Sequence, residues 1–203
     1  RAVGQVNQRN KFTVTLEFIQ AVKPFIQKGY KFLAVKKTAF NAAMSYVLNN
    51  AITGIEPNFE VDFPNALVSR GGLSTALNPT TDLATPGEVT FNWDDNSAEG
   101  NANTTDKSML LVYNPSKKES ISLTDGADRT VGTQIVAIPT TYAGDTVELF
   151  MAFITADGNQ VLLSLINTFN VLFVSYLLPN VYQLNNSGIR KILYREVGLL
   201  RVP

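Results

Sequence analysis

The chain has no cysteine and no histidine among its 203 residues. Without cysteine there is no disulfide framework and no thiolate nucleophile, and the redox compartment cannot be read. Without histidine the commonest general base and the commonest metal ligand are missing. Ser-His-Asp, Cys-His and zinc–histidine chemistry are therefore excluded within the chain. Net charge is lacking too: 17 basic residues balance 17 acidic ones, so the whole molecule is no obvious nucleic-acid binder. The opening Arg1-Ala2-Val3-Gly4 has no apolar h-region of a signal peptide, and a processed or truncated chain would look the same.

The zero net charge conceals a segregation. Residues 1–50 hold eight basic residues against Glu17 alone, a net +7. Residues 51–160 hold five basic and 15 acidic residues, a net −10, and residues 161–203 carry +3. A basic arm on an acidic body suits an internal docking pair or the two ends of a head-to-tail assembly.

Residues 86–160 organise the rest. Residues 88–93 (EVTFNW) alternate, with Val89, Phe91 and Trp93 on one face. That period-2 pattern predicts a half-buried strand. Residues 108–113 (SMLLVY), 133–138 (TQIVAI) and 147–155 (VELFMAFIT) are further apolar runs, each bounded by turn residues. Asp157-Gly158 offers a hairpin turn. Short strands separated by polar turns indicate an antiparallel sandwich, not a βαβ sheet. The stretch looks like an immunoglobulin or fibronectin type III module. Trp93 is its expected core marker, and Tyr142 resembles a tyrosine corner whose hydroxyl bonds to backbone.

The N-terminal part reads as helical. Residues 6–28 carry Phe12, Leu16, Ile19 and Lys23 at helical spacing, a stripe broadened by Val14, Phe18, Ala21 or Val22, and Phe25, with Pro24 kinking or ending the regular part and Gly29 as a stop. Residues 38–52 form a second helix with Thr38 as N-cap. Residues 58–63 and 66–69 read as short strands, and residues 77–86 as a linker or long turn. The fold class expected is α+β: N-terminal helices attached to an immunoglobulin/fibronectin III-like antiparallel β-sandwich, with an apolar C-terminal extension. The divisions are 1–78, a helical region with short strands; 79–160, the sandwich; and 161–203, a last strand and C-terminal arm.

Several strings carry a family likeness over about residues 5–160. They include Phe12, Pro24-Phe25, Gly29-Tyr30, Thr38-Ala39-Phe40-Asn41-Ala42-Ala43-Met44-Ser45-Tyr46 and Leu67-Val68-Ser69-Arg70-Gly71. Phe91-Asn92-Trp93-Asp94-Asp95-Asn96, Val112-Tyr113-Asn114-Pro115-Ser116-Lys117-Lys118 and Tyr142-Ala143-Gly144-Asp145 continue it. The chain is similar to an uncharacterised Bacteroidota family, a domain of unknown function. That resemblance implies a source and an architecture and brings no activity with it. It also implies a short Ser-rich last strand after Asp157-Gly158, whereas this chain runs on for 45 residues of different character.

Residues 161–178 include no charge over 18 positions. Three readings stay open: a last strand with an extended arm, a membrane anchor, and an atypical tail. Length near ~17–20 residues and the following Arg190, Lys191 and Arg195 suit an anchor. Asn167 and Asn170 at the centre are costly in lipid and stand against an anchor, the β-branched and aromatic content suits strands, and Pro179-Asn180 is a break.

Chemistry-bearing patterns are sparse. Asp95, Ser97, Glu99, Gly100 and Asp106 have the spacing of an EF-hand loop, without the flanking helices or the bidentate Glu. No calcium is expected there. The pairs Asp94/Asp95 and Asp125/Asp128 lack a cleft for glycoside chemistry. No catalytic, cofactor or metal residues are assigned, and the chain is expected not to be an enzyme. The expected role is a structural or interaction subunit of a virion, filament or cell-surface assembly, placed extracellularly, at the cell surface or in a virion. The residues assigned to assembly are Lys23, Lys28, Lys31, Lys36, Lys37, Leu163, Leu165, Phe169, Val171 and Phe173. Partners are copies of itself or other assembly subunits, with a membrane through 161–178 as the competing reading; nucleic acid is not expected. The alternative is a module binding carbohydrate or a surface receptor on loops 94–106 and 125–132.

Overall fold

Helix α1 spans Val3–Ala21 and α2 spans Lys23–Gly29 in a computed structural model that describes residues 3–161. Pro24 accounts for the break. It lacks an amide hydrogen and sits in the first turn of α2, where that donor would have no helical partner. Of the expected stripe, Phe18, Ile19, Val22 and Phe25 are buried, Thr15 and Ile26 join them, and Phe12 falls outside at 48% exposed. Thr15 tolerates burial because its Oγ1 donates to the Lys11 carbonyl at 2.8 Å. Gly29 is needed for close approach, since a Cβ there would lie 2.5 Å from the Val68 carbonyl oxygen.

Helix α3, Ala39–Asn50, opens as expected, with Thr38 Oγ1 accepting from the Asn41 amide at 3.1 Å. It stops before Ile52, which instead begins β1 (Ile52–Ile55) and pairs with Val61 of β2 (Asn58–Val61). The strand expected at 66–69 does not form. Its groups are used locally: Tyr30 Oη donates to the Leu67 carbonyl at 2.8 Å, and the Arg70 amide donates to Gly29 at 2.9 Å.

The expected linker at 77–86 is also corrected. Leu77–Asp82 is β3, the edge strand that opens the sandwich. Pro79 fits because the strand is an edge, and its register shifts between Leu77 and Thr80. The remaining strands are β4 (Glu88–Asp94), β5 (Lys107–Asn114), β6 (Glu119–Leu123), β7 (Thr133–Ala137) and β8 (Glu148–Ile154). They form two antiparallel three-stranded sheets, ordered β3-β4-β7 and β6-β5-β8. The fold is α+β, with an antiparallel sandwich of the immunoglobulin/fibronectin III kind.

The sheet β6-β5-β8 is covered on both faces. Met109, Leu111, Tyr113, Phe150, Ala152 and Ile154 pack with the helices around Phe18, Phe25 and Ile26. The alternate residues Leu110, Val112, Leu149, Met151 and Phe153 pack against Val89, Phe91 and Trp93 of the other sheet. This explains why β5 and β8 read as continuous apolar runs while β4 alternates. It also means that the helical region does not have a core of its own. One core cluster joins residues 18–68 to β5 and β8.

Trp93 and Tyr142 are both buried, as expected. The Tyr142 corner differs in detail: among the described residues its hydroxyl makes no hydrogen bond to backbone, and the turn is held by the Tyr142 amide donating to Pro139 at 3.0 Å. At Gly158 the chain turns with φ of 68°, and Val161 forms an antiparallel bridge to Ile154.

Candidate interaction surface

The strand directions gather three connections at one end of the sandwich. The β4–β5 and β6–β7 loops and the turn after β8 all lie there, because β5 and β7 start where β4, β6 and β8 end. Loop backbones carry polar groups that strands do not satisfy, so something must hold them. Here it is Arg129, which is fully buried.

The Arg129 guanidinium reaches four chain segments. Its Nε donates to Asp106 Oδ2 at 3.2 Å, and its NH1 nitrogen donates to Asn96 Oδ1 at 2.7 Å and to the Thr75 carbonyl at 3.3 Å. Its NH2 nitrogen donates to the Ser74 carbonyl at 3.1 Å, and the group stacks on the Phe153 ring at 3.9 Å. Burial pulls its pKa down, and the charge of Asp106 and the hydrogen bond to it oppose that. A guanidinium suits this position because its planar fork serves several acceptors at once. Nothing in the sequence marked Arg129, a single cation in a polar loop.

The two loops named as an alternative binding site are thus brought together. Within the calcium-type spacing Asp106 faces Arg129 and Asp95 Oδ1 accepts from the Ser97 amide at 2.9 Å, and among the described residues no three Asp or Glu side chains are grouped to hold a metal ion. Asp94 accepts from Asn78 at 2.8 Å, and Asp128 pairs with Lys107 at 2.7 Å. A polar cleft of about 580 Å³ lies between the β4–β5 loop and the turn after β8, lined by Asn101, Asn103, Thr105, Asp106, Asn159 and Gln160 among others.

Two of the five lysines sit beside the same end. Lys28 Nζ donates to the Thr124 carbonyl at 3.2 Å and Lys31 Nζ to the Gly158 carbonyl at 3.4 Å. Lys23, Lys28, Lys31, Lys36 and Lys37 are all exposed and make no ion pair among the described residues. Phe32 and Val35 stand between them, 41% and 72% exposed. No acidic residue occurs between Glu17 and Glu56, so the ridge has no local neutraliser in sequence. Leu163, Leu165, Phe169, Val171 and Phe173 lie outside the described residues. Among the described residues no helix is long and apolar enough to cross a membrane.

A family model described as "Family of unknown function (DUF6266)" matches residues 1–167. The chain belongs to this family. The family's match takes in every described helix and strand and Val161. Among solved structures, the fibronectin III domain of human collagen alpha-1(XX) chain is similar at 16% identity, covering 49% of this chain and 89% of that one, with a TM-score of 0.30. No curated protein matches.

Proposed function

We propose that this family member is a non-catalytic structural subunit that associates with copies of itself or with other subunits of an extracellular, cell-surface or virion assembly. The sequence resemblance adds a Bacteroidota source to that reading. The observation that carries it is the lysine ridge: five exposed lysines without ion-pair partners among the described residues, flanking exposed Phe32 and Val35. Residues 51–160 of a neighbouring copy, at net −10, supply the opposite charge. Such a contact is heterologous, which builds rings or filaments. Exposed charge pairs are screened within ~10 Å at 0.1 M salt, so the contact is salt-sensitive.

Light scattering on the full chain tests this. The wild type should build larger species at low salt than at high salt, and a K28E/K31E/K36E/K37E variant should lose that salt-dependent growth. A wild type that is monomeric at high concentration and low salt removes the proposal.

The polar cleft favours a second reading, a small-ligand module at the loop end. Its lining is amide, hydroxyl and carboxylate, with no aromatic platform, so the class it suits is a neutral, hydroxyl-rich molecule. A glycan array on which the protein is silent would dismiss it.

A further inference from the structure

Sheet edges expose unpaired backbone groups, and proteins normally blunt them. The described edges differ in this respect. Edge β3 carries Pro79, a register shift and Asp82. Edge β6 lies under the α1–α2 junction: Ser120 Oγ donates to the Ala21 carbonyl at 2.7 Å, and Lys118 pairs with Glu17 at 2.8 Å. Among the described residues, edge β7 has neither kind of protection. Its sequence, Thr133-Gln134-Ile135-Val136-Ala137, contains no charge and no proline, and its register with β4 is unbroken.

The hydrogen-bond alternation says which groups are free. Trp93 N donates to Gly132 O at 2.9 Å and Ile138 N to Gly87 O at 2.8 Å, so the even-numbered residues of β7 bond to β4. Thr133, Ile135 and Ala137 therefore direct their N–H and C=O groups outward. Their side chains are exposed, Ile135 at 51%, and Val131 just before the strand is 55% exposed. One device covers part of the edge: Gln134 Nε2 donates to the Ile135 carbonyl at 2.9 Å. The same amide accepts from the Ala127 backbone N–H at 2.9 Å through its Oε1, so pairing at the Ile135 carbonyl displaces Nε2 while that second bond anchors the side chain.

We propose that β7 pairs antiparallel with β7 of a second copy about a two-fold axis at Ile135, joining the two β3-β4-β7 sheets into one of six strands. This deepens the assembly reading above and supplies it with a second, isologous contact. A second copy is favoured over an unrelated strand because the pairing is self-complementary. Ile135 meets Ile135, each Thr133 meets an Ala137, and no charge meets its like.

The chain has no cysteine, which makes cross-linking a clean test. Hydrogen-bonded partners in an antiparallel pair have Cα atoms ~5.5 Å apart, within reach of a disulfide. The full chain is used at high salt, where the lysine contact is screened. Ile135→Cys should oxidise to a covalent dimer. Ala137→Cys alone should not, and a mixture of Thr133→Cys and Ala137→Cys chains should give the mixed dimer. Ile135→Lys, at an exposed position, should leave the far-ultraviolet circular dichroism unchanged and shift the sedimenting mass from dimer to monomer. Equal cross-linking at 135 and 137, or a wild type that is monomeric at high salt, overturns the pairing. Salt-sensitive association without a 135 cross-link rejects β7 and leaves the lysine contact standing; a 135 cross-link without salt-sensitive association does the reverse.

Discussion

The indole N–H of Trp93 donates to the backbone carbonyl of Arg129 at 2.6 Å, inside the core. The bond ties the last turn of β4 to the loop that carries the buried guanidinium. Trp93 also meets the Phe153 ring edge-on at 5.5 Å, and Arg129 stacks on the same ring. One aromatic from each sheet and one cation from a loop thus fix the end of the sandwich where the candidate surface lies.

Breaking the Arg129–Asp106 pair should be costly. Arg129→Met leaves the Asp106 carboxylate buried and unpaired, a loss of about 3–5 kcal/mol by urea denaturation. Removing both charges with Asp106→Leu as well should restore part of that loss. A double variant less stable than the single one would refute this account of the pair.

Gly29→Ala should destabilise although alanine is the better helix former. Its Cβ would meet the Val68 carbonyl at 2.5 Å and Ser69 Cβ at 2.8 Å, both in a packed segment. Overpacking of this kind costs about 1–3 kcal/mol. A melting temperature equal to or above the wild type would contradict the close approach.

Acid should weaken the fold through two loop carboxylates. Hydrogen bonds from Lys117 and then Asn114 hold the Asp145 carboxyl below its ordinary value, and Thr155 and the Asn159 amide do the same for Asp157. A carboxyl whose folded pKa is depressed stabilises fully above its unfolded value, ~3.9, and that contribution is lost as pH falls through the folded value. Stability should therefore decline below about pH 4. Asp145→Asn should flatten that decline, and an unchanged slope would show that Asp145 does not contribute.

A calcium chelator should leave the melting temperature where it is. Asp106, the twelfth position of the EF-hand-like spacing, is engaged by Arg129 and the Asn103 amide. A ligand bound only by the folded state would raise stability by RT ln(1 + [L]/Kd), so a calcium-dependent rise that Asp95→Ala abolishes would establish a site.

Much of the fold was legible because strand and helix periods are local. Val89, Phe91 and Trp93 alternate because β4 has one buried face, and Thr38 caps α3 through a bond three residues long. The charge segregation and the absence of histidine and cysteine were likewise fixed by composition. β3 was missed because Asn78-Pro79-Thr80-Thr81 reads as turn chemistry, which only an edge position excuses.

What the tertiary structure decided is what depends on partners distant in the chain. The continuous apolar runs of β5 and β8 did not say what lay on their two faces; helices 18–26 cover one and Phe91 and Trp93 the other. Thr15 sits inside and Phe12 outside because the helix rotation follows the sheet it packs on, and amphipathic spacing alone leaves that rotation free within a turn. Arg129 became central because folding brings Ser74, Asn96, Asp106 and Phe153 to one guanidinium, residues 23 to 55 positions away in the chain. Sequence determined the pieces and their charge, and long-range packing chose which polar group had to be buried and therefore paired.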